Sequence, residues 1–169
     1  MSLAPTDYDF GIAANYAFAT TITCANEDAR KMFVEAYGHM INYNHEQAIA
    51  CFSKVTELDP TCAMAWWGIA YSSGPNTNVP MIMPGPFAGW CYSASKKAAE
   101  FADQESLPNQ AIIAALQKRY DWPMPEDLTE LNGAYRDAIL TVHEKFPMDS
   151  DIATLSVESM MLMQPWKYW

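Results

Sequence analysis

Apolar side chains return every three or four residues along most of this chain. Asn26 is suited to cap a helix, and the acids Glu27 and Asp28 follow it where the helix dipole favours negative charge. Met32, Phe33, Ala36, Tyr37, Met40 and Ile41 then fall on one helical face. Asn42-Tyr43-Asn44 interrupts the stripe as a turn, and Ala48, Cys51, Phe52, Val55 and Leu58 resume it over residues 45–58. Asp59-Pro60 reads as a cap with proline at the first helical position, leading to a third helix over 63–73. Residues 74–86 break the rhythm, because Pro75, Pro80, Pro84, Pro86 and two glycines exclude a regular helix. Helical spacing returns over 87–104 and over 107–120, the second opened by Ser106 and Pro108. After a proline joint at Trp122-Pro123-Met124-Pro125, Asp127-Leu128-Thr129-Glu130 forms an acidic version of a capping box. Leu131, Tyr135, Ala138, Ile139, Val142 and Phe146 make the next stripe. Pro147 and Asp149-Ser150-Asp151 open a last helix with Ile152, Leu155, Met160 and Met163. With no convincing strand, the pattern predicts an all-α fold of about seven helices, joined mostly by short turns into antiparallel hairpins.

A four-helix bundle does not absorb that many helices, whereas a stack of hairpins does, so internal repetition is the next test. The stretch from Leu58 through Pro60 to Trp67 has a parallel from Lys145 through Pro147 to Thr154: an apolar residue near a helix end, a proline, then a new helix. Ala48, Phe52, Val55 and Pro60, with Trp66 beyond the proline, resemble the tetratricopeptide repeat, a helix-turn-helix unit of about 34 residues. Trp66-Trp67-Gly68-Ile69-Ala70-Tyr71 is similar to the start of the first helix of such a unit. The match is strongest over residues 29–73, with a second unit interrupted by the proline loop and a third recognisable from Pro147. Tyr43-Asn44-His45-Glu46-Gln47-Ala48, Cys62-Ala63-Met64-Ala65-Trp66-Trp67-Gly68-Ile69-Ala70 and Gly74-Pro75-Asn76 are similar to segments of larger, little-characterised tetratricopeptide-repeat proteins. The resemblance implies an α-α hairpin superhelix over residues 26–163, with a lead-in at 1–25, a loop insertion at 74–86 and an aromatic tail at 164–169. Its repeat anchors would be Ala48, Phe52, Pro60, Trp66 and Pro147.

Composition narrows the partners. The 169 residues carry 20 acidic against 10 basic side chains, a net charge of -10. Such a surface does not suit phosphate backbones, so nucleic acid is not expected as a partner. The densest basic spots, Ser95-Lys96-Lys97 and Lys118-Arg119, read as solvated helix faces. No run approaches the ~20 apolar residues of a membrane span, and no basic residue before Arg30 supplies the head of a signal peptide. A cytoplasmic location is the default expectation, and an exported one applies if a leader has been removed. The cysteines Cys24, Cys51, Cys62 and Cys91 contain no C-x-x-C pair. Their spacing leaves open a bridge from Cys24 to Cys62 or Cys51.

Candidate chemistry is sparse. His45-Glu46-Gln47-Ala48-Ile49 is half of a zinc-protease motif, but Ile49 stands where the second metal-binding histidine is needed. His45 and Cys51 lie six positions apart on one helix, on widely separated faces. Asp7/Asp9 and Glu126/Asp127 read as solvated faces or caps. No catalytic residue, metal ligand or cofactor is expected. In the repeat type resembled here, the first helix of each hairpin lines a concave groove. Met64, Trp67 and Tyr71 would lie there, with Asn76 and Asn78 offering polar groups from the adjoining loop. Met163, Trp166 and Trp169 form an apolar end that must fold back or meet a partner. The expected function is a protein-interaction or assembly scaffold with a protein or peptide partner, which includes a second copy of itself. The alternatives are part of a ligand- or metal-binding enzyme, or a self-assembling subunit completed by its neighbour.

Overall fold

The computed structural model describes residues 21–82 and 86–167, and those residues form an all-helical protein without strands. Seven α-helices follow in order among them: α1 (Glu27–Ile41), α2 (His45–Leu58), α3 (Ala63–Ser73), α4 (Phe87–Glu100), α5 (Leu107–Leu116), α6 (Thr129–Lys145) and α7 (Ser150–Leu162). A 3-10 turn, Ala102–Gln104, links α4 to α5. None of these helices is long and apolar enough to cross a membrane.

The caps explain where several helices begin. Asn26 accepts a hydrogen bond from the Ala29 N–H at 2.9 Å. Asp149 accepts from the N–H groups of Asp151 and Ile152, both at 3.0 Å. Each bond satisfies a donor that the first turn leaves without an internal partner. Asp59 acts differently from the expected cap. Its carboxylate takes the N–H and hydroxyl of Thr61, Asp59-Pro60 stays in a turn, and α3 opens three residues later, after Cys62.

Two helices are shorter than their apolar spacing predicts. α4 stops at Glu100, and the chain tightens into the 3-10 turn before Leu107. α5 stops at Leu116, where Lys118 and Arg119 close single turns onto the carbonyls of Ala115 and Leu116. That turn aims the next two side chains inward. The Tyr120 hydroxyl donates to the Ala70 carbonyl at 2.8 Å, and the Arg119 guanidinium donates to the Pro75 carbonyl.

Each helix packs on the one that follows it, and α1 also touches α3, as α3 touches α5. One apolar core runs through the whole, including Phe33, Phe52, Trp67, Ile112, Ile139 and Ile152. α3 is its centre: along its 11 residues only Trp66 is less than buried. A helix apolar all round belongs in the interior, and small residues let its neighbours approach. A Cβ on Gly68 would stand 2.5 and 2.6 Å from the Phe52 Cε atoms, and closer still to Cζ.

Candidate functional site

The residues expected to line a groove lie on α3 and the loop after it, and most are covered. Met64, Trp67, Tyr71 and Asn76 are 0, 1, 6 and 7% exposed, and only Asn78 faces solvent. Trp67 stacks on Tyr71, with ring centroids 5.1 Å apart and planes 17° from parallel. Asn76 turns its side-chain oxygen back on its own loop, accepting from the N–H groups of Asn78 at 2.9 Å and Val79 at 3.0 Å. That oxygen therefore shapes the turn rather than reaching outward.

Two contacts far apart in sequence hold the last helix in place. The Tyr37 hydroxyl on α1 donates to Asp151 on α7 at 2.7 Å, both groups buried. The Thr77 N–H bonds the Glu158 carboxyl of α7, which burial pushes up to about 7. These bonds tie α7 to α1 and to the loop after α3, while α3 itself is packed by α1, α2, α4 and α5.

Arg119 occupies the middle of this enclosed region at 2% exposure, so of the Lys118-Arg119 pair only Lys118 faces solvent. In the other basic spot Lys96 and Lys97 face solvent and only Ser95 is buried. The guanidinium lies 5.5 Å from the Tyr71 ring centre and 4.8 Å from that of Tyr135. These aromatic faces and the Pro75 carbonyl offset part of the cost of burying a cation that has no acidic partner among the described residues. Arg119 Nε and Nη1, the Tyr135 hydroxyl and both His45 ring nitrogens are buried with no hydrogen-bond partner among the described residues. Burial, with the Arg119 charge in support, holds the His45 pKa below its ordinary value. Burial also pushes the Tyr135 hydroxyl and the Cys91 thiol up to about 12. Arg119 thus lies over the Tyr135 ring in a buried region, close enough to His45 for its charge to act on the imidazole.

The expected repeat anchors take different positions. Ala48 and Phe52 are fully buried, while Pro60 and Pro147 sit in exposed turns. Trp66 is half-buried, its indole N–H donating to the Pro60 carbonyl at 2.9 Å, and Trp67 beside it is the deeper of the two. His45 packs edge-on against Tyr43, and Glu126 and Asp127 line a pocket rim. Asp7, Asp9 and Trp169 lie outside the described residues.

The last helix has a different outer surface. Val157 and Met160 on α7 are 50 and 46% exposed, and Trp166 just beyond it is 64% exposed. Met163 is half-buried near Gly133 and borders a cavity of about 560 Å³ with Met81, Met124, Leu128 and Leu162.

Sequence reasoning passed over Arg119 and Glu158. Glu158 had a signal, because it shares a helical face with Leu155 and Leu162, so that an acid interrupts an apolar stripe. Arg119 had none, since its burial depends on the turn that ends α5. Comparison with protein-family models, with curated proteins and with solved structures gives no match.

Proposed function

We propose that this chain is a helical-repeat module of the tetratricopeptide type that works in protein–protein interaction or assembly, with α7 as the docking surface. Three features support a repeat: hairpins in succession, the α1–α3 and α3–α5 contacts, and the spacing of Ala48, Phe52 and Trp66. The observation that carries the interaction reading is the exposed apolar stripe of Val157 and Met160, continued by Trp166. The inner face is filled by its own aromatic residues, which moves recognition to this outer edge. α7 contains no lysine or arginine, and Glu126 and Asp127 edge the neighbouring cavity. The partner that fits is an amphipathic helix of another protein, with basic residues beside its apolar stripe.

A Leu/Lys amphipathic helical peptide and its Leu/Glu counterpart test this directly, with tryptophan emission as readout. The Leu/Lys peptide shifts the emission to the blue and the Leu/Glu peptide does not. In Val157→Glu/Met160→Glu the shift falls at least tenfold in affinity, at unchanged helix content. Equal response to both peptides, or none to either with the protein monomeric in sedimentation, overturns the reading. Concentration-dependent dimers abolished by the same double variant would identify a second copy as the occupant.

A further inference from the structure

Among the described residues, one group of metal-type ligands converges: Cys24, Asp59 and Cys62, with ligand atoms all within 4.8 Å of one another. Asp59 is already engaged. Its Oδ2 accepts the Ala25 N–H at 2.6 Å, and its Oδ1 accepts the N–H and hydroxyl of Thr61 at 3.0 and 2.8 Å. A structural zinc site needs four ligands, and here only the two sulfurs are uncommitted.

Those sulfurs are 3.5 Å apart, in hydrogen-bond contact, and both cysteines are free. The backbone around Cys24 is held from several sides. The Thr23 N–H donates to Glu105 at 3.1 Å, its hydroxyl to the Gln104 carbonyl at 2.8 Å, and Arg30 to the Ile22 carbonyl at 3.2 Å. The thiols are thus brought together by contacts that do not involve sulfur, and closing to a bond of ~2.05 Å needs an approach of only about 1.5 Å.

The pair is also asymmetric. Cys24 is half-buried, while Cys62, Cys51 and Cys91 are 0% exposed. The hydrogen bond from Cys62 holds the Cys24 thiol below its ordinary pKa, with help from Arg30, against partial burial and the charges of Asp59 and Glu105. The same shared hydrogen bond, with burial, pushes Cys62 far up. Cys24 is therefore the accessible thiolate former and Cys62 the enclosed second thiol, a division of roles suited to exchange.

We propose that Cys24 and Cys62 form a thiol–disulfide exchange site, oxidised by a small disulfide of the glutathione class to a bridge that fastens residues 22–25 to the turn between α2 and α3. Cys24 gives up its proton, and its sulfur attacks one sulfur of the small disulfide, breaking that S–S bond and releasing one thiolate. Cys62 then gives up its proton and attacks the Cys24 sulfur of the mixed disulfide, releasing the second thiolate. The two released thiolates take up the two protons. The protein loses two electrons and two hydrogens, and the small disulfide gains them. The site stands on the cysteine geometry alone and is independent of the interaction reading.

The test uses the intact chain, equilibrated with oxidised glutathione or with a reducing agent, then alkylated and mapped by mass spectrometry. Expected are a peptide cross-linked through Cys24 and Cys62, protection of those two cysteines, and a Tm raised on the order of 5–10 °C over the reduced protein. Cys62→Ala stops at a glutathione adduct on Cys24, and Cys24→Ser gives neither adduct nor bridge. If Cys62→Ala does not fold, the mapping of the natural chain decides. Unchanged alkylation of Cys24 and Cys62 after oxidation overturns the proposal, as does a cross-link through Cys51 or Cys91. So does stoichiometric zinc in the isolated protein whose chelation exposes both thiols, which would make the cluster a metal site.

Discussion

Gly68→Ala sets two effects of opposite sign against each other at the centre of the fold. In a helix interior, alanine is favoured over glycine by about 1 kcal/mol, so on propensity alone the substitution stabilises. The added Cβ, however, would stand 2.5 and 2.6 Å from the Phe52 Cε atoms. The ring has little room to withdraw, since Phe52 is 0% exposed and packs edge-on against Phe33 with centroids 5.4 Å apart. Inserting a carbon into such a site costs about 1–3 kcal/mol, and a ring enclosed on all sides puts the cost at the upper end. The clash wins, leaving a net loss of about 2 kcal/mol, or a Tm lower by about 4–8 °C in a chain of this size. Urea unfolding followed by far-UV circular dichroism measures it. Two further variants separate the causes. Gly133→Ala, whose Cβ would come no nearer than 4.0 Å to Met163, gains about 0.5–1 kcal/mol from the same change of residue. Phe52→Leu frees the space, so Gly68→Ala in that background costs at least about 1 kcal/mol less than it does alone. A Gly68→Ala protein as stable as the natural one, or strict additivity with Phe52→Leu, would refute the close approach of Phe52 to Gly68.

Glu158 makes stability depend on pH. Its carboxyl titrates at about 7 in the folded chain against its ordinary 4.5, so between these values the unfolded chain loses a proton that the folded one keeps. Stability therefore falls as pH rises through this window and levels off above it, by about 3 kcal/mol in all. Glu158→Gln removes that slope, and denaturant titrations at pH 5 and 8 that show equal gain from the substitution would contradict it. Tyr37→Phe deletes the donor of a buried 2.7 Å bond to Asp151 and costs about 1.5–3 kcal/mol in the same assay. A cost under about 0.5 kcal/mol would mean that α1 and α7 are not joined there.

The helices are legible in the sequence because their cause is local. Apolar spacing marks all seven described helices, and Asn26 and Asp149 announce two starts by chemistry that acts within one turn. The ends of α4 and α5 are less legible. Their apolar spacing continues past Glu100 and Leu116, but the backbone turns so that Tyr120 and Arg119 reach carbonyls 50 and 44 residues away. The order of Trp66 and Trp67 has the same origin. Both fit the helical pattern, and only the position of α3 among its neighbours decides which indole is enclosed.

The attachment of α7 is the property furthest from anything local. A simple stack in which each hairpin meets only its neighbours would contain no bond between α1 and α7. Here Tyr37 reaches Asp151 across 114 positions, and the loop after α3 bonds Glu158 of α7. Each closing contact uses a buried acid, one that burial alone would destabilise. Such acids raise the cost of every conformation in which their donors are absent, which favours one arrangement of α7 over its apolar alternatives. That arrangement turns Ile152 and Leu155 into the core and leaves Val157 and Met160 outside. The same polar contacts therefore determine which stripe of the last helix remains exposed.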